Sequence, residues 1–308
     1  MKIDLTVIIL SFNTEQLLRR CLESIFHQKW QKEIEVIIVD NASEEADFAN
    51  LQNQLIHSFP LPTSQVVYPQ VKVERNGQNL GFSGGNNVGI RQALKNGSNW
   101  VVLLNNDTWV ERDFIERLRA KLSTLGSSIV GMPIEESHKN RTAYCGQVRW
   151  LKPVGFHVYD FEQARKMKNK HIVGGAMAIH KNIFGKIGFF DEKYFLYFED
   201  VDYSVRASKN HFNLIVLDRP AIHHSPFTTT KKLGIPLLMR YHYRNALFFN
   251  FKNGPRYIRL LVWPWSWLIV IKQLIKIAIK KNVEESKAIL FGITDFYKNK
   301  YGKIENRD

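Results

Sequence analysis

The tightest constraint on the fold is a set of short apolar runs that stop abruptly at polar clusters. Leu5-Thr-Val-Ile-Ile-Leu10 leads into Ser11-Phe12-Asn13. Glu35-Val-Ile-Ile-Val39 leads into Asp40-Asn41, and Trp100-Val-Val-Leu-Leu104 into Asn105-Asn106-Asp107. Near-continuous β-branched runs of this length read as strands covered on both faces. After the first of them, Leu17, Leu18, Cys21, Leu22 and Ile25 recur at helical spacing, with Asn13 or Thr14 placed to cap the helix. Val71 to Glu74 reads as a further strand, and a helix is expected from about Asn86 to Lys95. Strand alternating with helix predicts βαβ units on a parallel sheet, an α/β fold. Such sheets bind ligands at the carboxyl ends of their strands, so three polar clusters on one edge predict a site there.

Composition narrows the class. With 44% apolar and 23% charged residues in 308, the chain is neither disordered nor of low complexity. Two cysteines, Cys21 and Cys145, make no disulfide framework and no zinc site, and they fit a reducing compartment. The loop Asn79-Leu-Gly81-Phe-Ser-Gly84-Gly85 could bring backbone close to a ligand. It lacks the Gly-Lys-Ser/Thr of a P-loop and the G-x-G-x-x-G spacing of a dinucleotide site, which removes the main support for ATPase and dehydrogenase readings.

Two acidic clusters carry chemistry. Asp107 follows the apolar strand directly, where a carboxylate can hold a divalent cation. Asn105 and Asn106 are neutral, so further ligands must come from elsewhere. The pair His223-His224, after the strand Leu214 to Leu217, is the candidate source. In Phe195-Leu-Tyr-Phe198-Glu199-Asp200-Val-Asp202 aromatics lead into three carboxylates within four positions. A helix starting at these acids would gain from their charge, and a carboxylate walled by aromatics suits a general base.

These segments stand in the order found in the family 2 glycosyltransferases, which the sequence resembles, above all in a rhamnosyltransferase-like branch. The resemblance runs through Ser11-Phe12-Asn13, Asp40-Asn41-Ala42-Ser43, Asn79-Leu80-Gly81-Phe82 and Asn105-Asn106-Asp107-Thr108. It continues through Gly174-Gly175-Ala176, Gly188 to Glu192, Phe195 to Asp202, a histidine near Ala221, and Arg244-Asn245. It implies a GT-A fold and an inverting transfer of a sugar from a UDP- or dTDP-linked donor to a glycan or lipid-linked acceptor. It implies that Ser11, Asn13, Asp40, Asn41, Asn79, Gly81, Phe82 and Asn106 hold the nucleotide. It assigns Asp107 to an Mg²⁺ or Mn²⁺ ion, with Asn105 at the motif's earlier acidic position. One of His223 and His224 would complete that metal site, and the sequence leaves open which. Asp200 would be the base, with Glu199 beside it and Asp191 in the preceding loop. A nucleotidyltransferase and a non-catalytic glycan-binding subunit are the competing readings. The first lacks its basic Gly-rich signature, and the second does not need Asp107, Asp200 and the histidines together.

The C-terminal end differs in character. Fourteen basic and five acidic residues fall between Arg240 and Asp308, most of the chain's net +14. The longest apolar run there, Leu260 to Ile271, is twelve residues with Pro264 inside, short of the roughly 18 needed to span a bilayer. Lys272, Lys276 and Lys280 are spaced to form one helical stripe beside Trp263, Trp265 and Trp267. The expectation is a catalytic domain over residues 1–230, its nucleotide half 1–110 and acceptor half 111–230. A basic helical region, 231–308, would then lie on the cytoplasmic face of an anionic membrane. A packed helix or homodimer contact is the competing reading of that region. Nucleic acid is excluded as a partner, because motifs for base readout are absent.

Overall fold

A computed structural model describes residues 3–13, 15–28, 33–58, 70–136, 140–224 and 233–305. Thr14, one of the two capping candidates, lies outside the described residues. The first half alternates as expected: β1 (Leu5–Ser11), α1 (Glu15–Phe26), β2 (Ile34–Asp40), α2 (Glu45–Ser58), β3 (Gln70–Arg75), α3 (Gly81–Lys95) and β4 (Trp100–Asn105). The middle is built of shorter pieces: β5 (Thr108–Val110), α4 (Phe114–Leu122), β6 (Ser128–Gly131), β7 (Ile134–Glu136), β8 (Arg141–Ala143), β9 (Cys145–Gln147), β10 (His157–Val158), α5 (Phe161–Lys166) and β11 (Lys170–His171). Then come β12 (Ala176–His180), α6 (Lys181–Ile187), α7 (Glu199–Lys209), β13 (Asn213–Val216) and β14 (Ile222–His224). Three helices close the chain: α8 (Ile235–Asn253), α9 (Arg256–Ala278) and α10 (Val283–Tyr297).

Seven strands form the main sheet in the order β13-β6-β12-β4-β1-β2-β3. All neighbours are parallel except β12, which runs antiparallel to β4 and β6. Both faces are covered, and the sequence shows why. Val7 and Ile9 point into the core that includes α1 and α4, while Ile8 points into the core that includes α3. The same alternation runs through Val36 and Ile38 against Ile37 and Val39. Truncating Ile8, Ile9, Ile37 or Ile38 to alanine should cost about 2–5 kcal/mol.

Two smaller sheets flank the main one, β5-β14-β7-β8 and β10-β9-β11. The first places β14 beside β5, with His224 opposite Thr108 and His223 opposite Trp109. A third core joins α8, α9 and α10 to the aromatic segment before α7 through Tyr194, Phe198, Phe248 and Phe249.

Three expectations need correction here. Helix α3 begins at Gly81, not Asn86, because local Asn79 and two distant groups, Asn41 and the Phe195 carbonyl, cap it. Asn41 Oδ1 accepts the Leu80 N–H (3.0 Å), Asn79 Oδ1 the Gly81 N–H (2.8 Å), and the Phe195 carbonyl the Phe82 N–H (2.7 Å). Gly85 and Gly89 lie inside the helix and let it sit close on Leu10 and Ile8 of β1. Helix α9 runs unbroken for 23 residues through Pro264, so the apolar segment is long and apolar enough to cross a membrane by length and composition. Proline supplies no N–H to the carbonyl four residues back, and here that carbonyl belongs to exposed Leu260. The lysine stripe is shorter than expected, because Lys280 lies beyond the helix with a left-handed φ of 54°.

Candidate active site

Register aligns the polar strand tips. Ser11 stands opposite Asp40, Leu10 opposite Asn105, and Asp40 opposite Arg75. Asn41, one residue past β2, ties the loop after β3 to this edge. Its Nδ2 donates to Asn79 Oδ1 (3.0 Å) and the Gly81 carbonyl (3.1 Å), and its Oδ1 accepts from Asn76 Nδ2 (3.0 Å). A cavity of about 980 Å³ opens above this edge, lined by Asn13, Asn41, Asn79, Gly81, Phe82, Asn106, Asp107 and His224 on one side. Glu199 and Asp200 line it as well.

Four sequence candidates do not line the cavity: Ser11, Asp40, Asp191 and His223. Ser11 is buried at the strand tip. Asp40 is buried too, its Oδ2 accepting the Ser43 N–H (3.3 Å) and lying 3.3 Å from Arg75 Nε. Asp191 is bound by Lys252 Nζ at 2.7 Å. These residues shape the site from behind or from outside it.

The geometry separates the two histidines. Alternation along β14 sends neighbouring side chains to opposite faces. His224 Nε2 lies 3.3 Å from Asp107 Oδ2. His223 stacks on Trp109 with centroids 3.7 Å apart, and its Nδ1 lies 2.9 Å from Glu135 Oε2. Asp107 is buried, yet its Oδ1 has no hydrogen-bond partner. A buried carboxylate oxygen without a donor is costly, and a cation would remove that cost. Among the described residues no third acid, histidine or cysteine joins Asp107 and His224. The pair therefore fits a cation that takes its remaining ligands from a bound diphosphate and water.

The aromatic segment before α7 is strained. Phe195, Tyr197 and Phe198 all have left-handed φ values, 59°, 69° and 74°. For bulky side chains each costs on the order of 1–3 kcal/mol and needs surroundings that enforce it. Helix α8 supplies them. Asn245 Nδ2 reaches the carbonyls of Tyr194 (2.9 Å), Leu196 (2.8 Å) and Tyr197 (3.0 Å). Buried Arg244 donates to the Gly302 carbonyl (2.8 Å). The sequence offered Arg244-Asn245 only as part of an ordered resemblance. Their positioning role was invisible because the acceptors are backbone carbonyls some fifty residues away.

The strained turn delivers Glu199 and Asp200 to the start of α7. Asp200 Oδ2 accepts the Gly174 N–H (3.0 Å), and its Oδ1 accepts the Val201 N–H (2.8 Å). Glu199 is buried with Oε2 unpartnered. Burial, and the charge of Asp200 next to it, push the Glu199 carboxyl well above the usual range, so it stays neutral. Gly174 and Gly175 permit the close packing, since a Cβ on Gly174 would press on Phe82 and one on Gly175 would overlap Asn105.

The far wall of the cavity was not foreseen. Val154, His171, Leu237, Tyr241 and His242 line it, together with Lys303 to Glu305. Burial lowers the His171 imidazole against the pull of Asp200. Burial also pushes His242 down to about 4; the ring is neutral and stacks on Tyr197 with centroids 3.9 Å apart. The described part of the C-terminal region, residues 233–305, therefore walls the site as well as extending beyond it. The wall residues sit on α8, on β11 or in loops without any motif, so no sequence signal marks them.

Comparison with known proteins accords with this geometry. The sequence model of glycosyl transferase family 2 matches residues 6–188, more than half the chain. The chain belongs to glycosyl transferase family 2. It is 23% identical over 98% of its length, and 94% of the relative's, to the low-salt glycan biosynthesis hexosyltransferase Agl10 of Haloferax volcanii. It is 20% identical to the dTDP-rhamnosyl transferase RfbF of Shigella flexneri, over 82% of each chain. Among solved structures, TarS 1-349 of S. aureus in complex with UDP-GlcNAc superposes with a TM-score of 0.58 at 15% identity, covering 96% of this chain and 80% of that one. The mannosyltransferase PcManGT of Pyrobaculum calidifontis, in complex with GDP-Man and Mn²⁺, gives 0.56 at 12% identity, covering 97% and 88%. The fold is GT-A and the protein is a glycosyltransferase, so the nucleotidyltransferase alternative falls.

Proposed function

We propose that the protein transfers a sugar from a nucleotide-diphosphate donor to a hydroxyl of a glycan or lipid-linked glycan, inverting the anomeric carbon. One observation carries the reading: the Asp107–His224 pair and Asp200 line one cavity at the carboxyl edge of the sheet. Asn41 and the Asn79 to Phe82 segment form the wall against which the nucleotide lies. Asp107 and His224 would hold Mg²⁺ or Mn²⁺, which when bound neutralises the diphosphate leaving group as a Lewis acid. Asp200, oriented by two backbone N–H groups, accepts the proton of the acceptor hydroxyl. That oxygen bonds to the anomeric carbon as the bond to the diphosphate oxygen breaks, and the electron pair leaves with the diphosphate. Neutral Glu199 spares the site a second negative charge beside the base.

The names of the relatives support a hexosyl or dTDP-linked rhamnosyl donor used in glycan biosynthesis, and the TarS complex supports UDP as a second carrier. Two buried free thiols suit a cytoplasmic site of action. Calorimetry with UDP and dTDP, followed by nucleotide release across a panel of UDP- and dTDP-sugars, tests the reading. The expected result is one preferred nucleotide and one preferred sugar, with release that rises on adding acceptor. Failure to bind either nucleotide in the presence of Mn²⁺ overturns it.

A further inference from the structure

Helix α9 is built inside out. Its packed seam consists of Ile258, Val262, Ser266, Ile269 and Gln273, so the hydroxyl of Ser266 and the amide of Gln273 face inward. Ser266 Oγ donates to the Trp263 carbonyl (2.7 Å) and meets the Tyr297 hydroxyl of α10. Gln273 Oε1 accepts from Ser286 Oγ of α10 (3.2 Å). The outward face carries Leu260, Trp263, Trp267, Leu268, Ile271 and Leu274, each more than half exposed. A helix facing water shows the opposite arrangement. A contiguous apolar face of this extent marks an interaction surface.

Charge indicates what covers it. Arg256 and Arg259 precede the apolar face, Lys272 and Lys276 flank Leu274 at its far end, and Lys280 and Lys281 lie just beyond the helix. No acidic residue occurs between Gly254 and Val283. Long basic side chains at both ends, with tryptophans between, match an anionic headgroup layer above an apolar interior. The helix is long enough to span, yet its seam holds it against α8 and α10. Those helices carry the Arg240–Asp295 ion pair (2.7 Å), and α10 starts with Glu284 and Glu285. Carrying them across a bilayer with α9 would bury that charge.

We infer that α9 lies in the plane of an anionic lipid bilayer, its Leu, Trp and Ile face in the acyl boundary and its basic ends at the phosphates. The test uses the full chain, because truncation before Pro255 would also strip α10 from α8 and residues 303–305 from the cavity. Sedimentation is measured with vesicles of phosphatidylcholine alone and of phosphatidylcholine mixed with phosphatidylglycerol. Tryptophan emission is followed with lipids brominated at shallow and deep positions. Binding to the mixed vesicles, weakened by salt and accompanied by shallow quenching, is the expected result. The double variant Lys272→Gln, Lys276→Gln should lower partitioning roughly thirtyfold. Leu260→Glu with Leu268→Glu should abolish it while nucleotide binding by calorimetry persists, which shows that the variant is folded. Equal binding to both vesicle types overturns the inference. So does a lack of vesicle binding, whether light scattering then finds a monomer or a dimer that the glutamate variant dissociates; the dimer would assign the face to a second copy.

Discussion

Glu199 and Asp202 sit one turn apart on the same helix, and both are buried. Their surroundings could hardly differ more. Asp202 receives Arg206 (2.7 Å), Lys252 (2.8 Å), Asn253 Nδ2 (2.7 Å) and the Tyr194 hydroxyl (3.2 Å). Although burial opposes ionisation, Arg206 and Lys252 hold its carboxyl below the usual range. Glu199 has no such partner on Oε2 and is pushed the other way. Burial alone thus says little about a carboxylate's task. In this pair the charged donors go with the group that holds the fold, and the open oxygen with the group that stays protonated. Asp40 and Asp107, at the tips of the strands on either side of β1, repeat the contrast: the first has Arg75 and the Ser43 N–H, the second an oxygen with nothing.

That contrast breaks first at Asp202. Asp202→Asn strands Arg206 and Lys252 around a neutral amide, and removal of one partner of a buried ion pair costs about 3–5 kcal/mol. Denaturant titration should show the loss, and an unchanged midpoint would place Asp202 with the functional acids. Asp200→Asn should do the reverse. Turnover falls at least ~100-fold, while the unfolding midpoint and nucleotide affinity hold. Near-normal turnover would move the base to Glu199.

The metal pair gives a smaller effect and a sharper one. Chelation by EDTA should depress turnover, and Mn²⁺ or Mg²⁺ should restore it. His224→Ala should weaken metal-dependent nucleotide binding roughly tenfold to a hundredfold, while His223→Ala leaves it alone, since His223 lies on Trp109 and Glu135. Full activity in excess EDTA removes the ion from the mechanism. The smallest effect is at Glu199. Its folded pKa lies above the ordinary 4.5. Its neutral burial therefore contributes fully below that pH and is lost as the pH climbs toward the folded value. Glu199→Gln has no proton to lose, so its stability advantage over the wild type should grow with pH above about 4.5. Unfolding midpoints taken at several pH values check this, and parallel curves would mean that Glu199 is charged in the folded protein.

Legibility in the sequence divides along the same physical line. Strands β1, β2 and β4 were legible because both faces are buried and the apolar run is local. Their polar tips were legible because the register of a parallel sheet carries them to one edge. The start of α3 was not, because its caps come from Asn41, Asn79 and a carbonyl of Phe195. The choice between His223 and His224 needed the pairing of β14 with β5, which no spacing rule supplies. Asp191 looked like an acid of the active site until Lys252, sixty-one residues later, was seen to hold it. The far wall of the cavity, from Tyr241 and His242 to Ile304, is assembled across the fold and leaves no local pattern.

The clamp of Asn245 on the carbonyls of Tyr194, Leu196 and Tyr197 has a consequence in time. Every residue assigned to chemistry has left the ribosome by His224, yet the turn that aims Asp200 still lacks its donors. At some 5–20 residues per second, the nascent chain spends one to several seconds with the nucleotide wall complete and the base unaimed. On the proposed mechanism, completion of α8 is then the event that sets Asp200 in place for the acceptor.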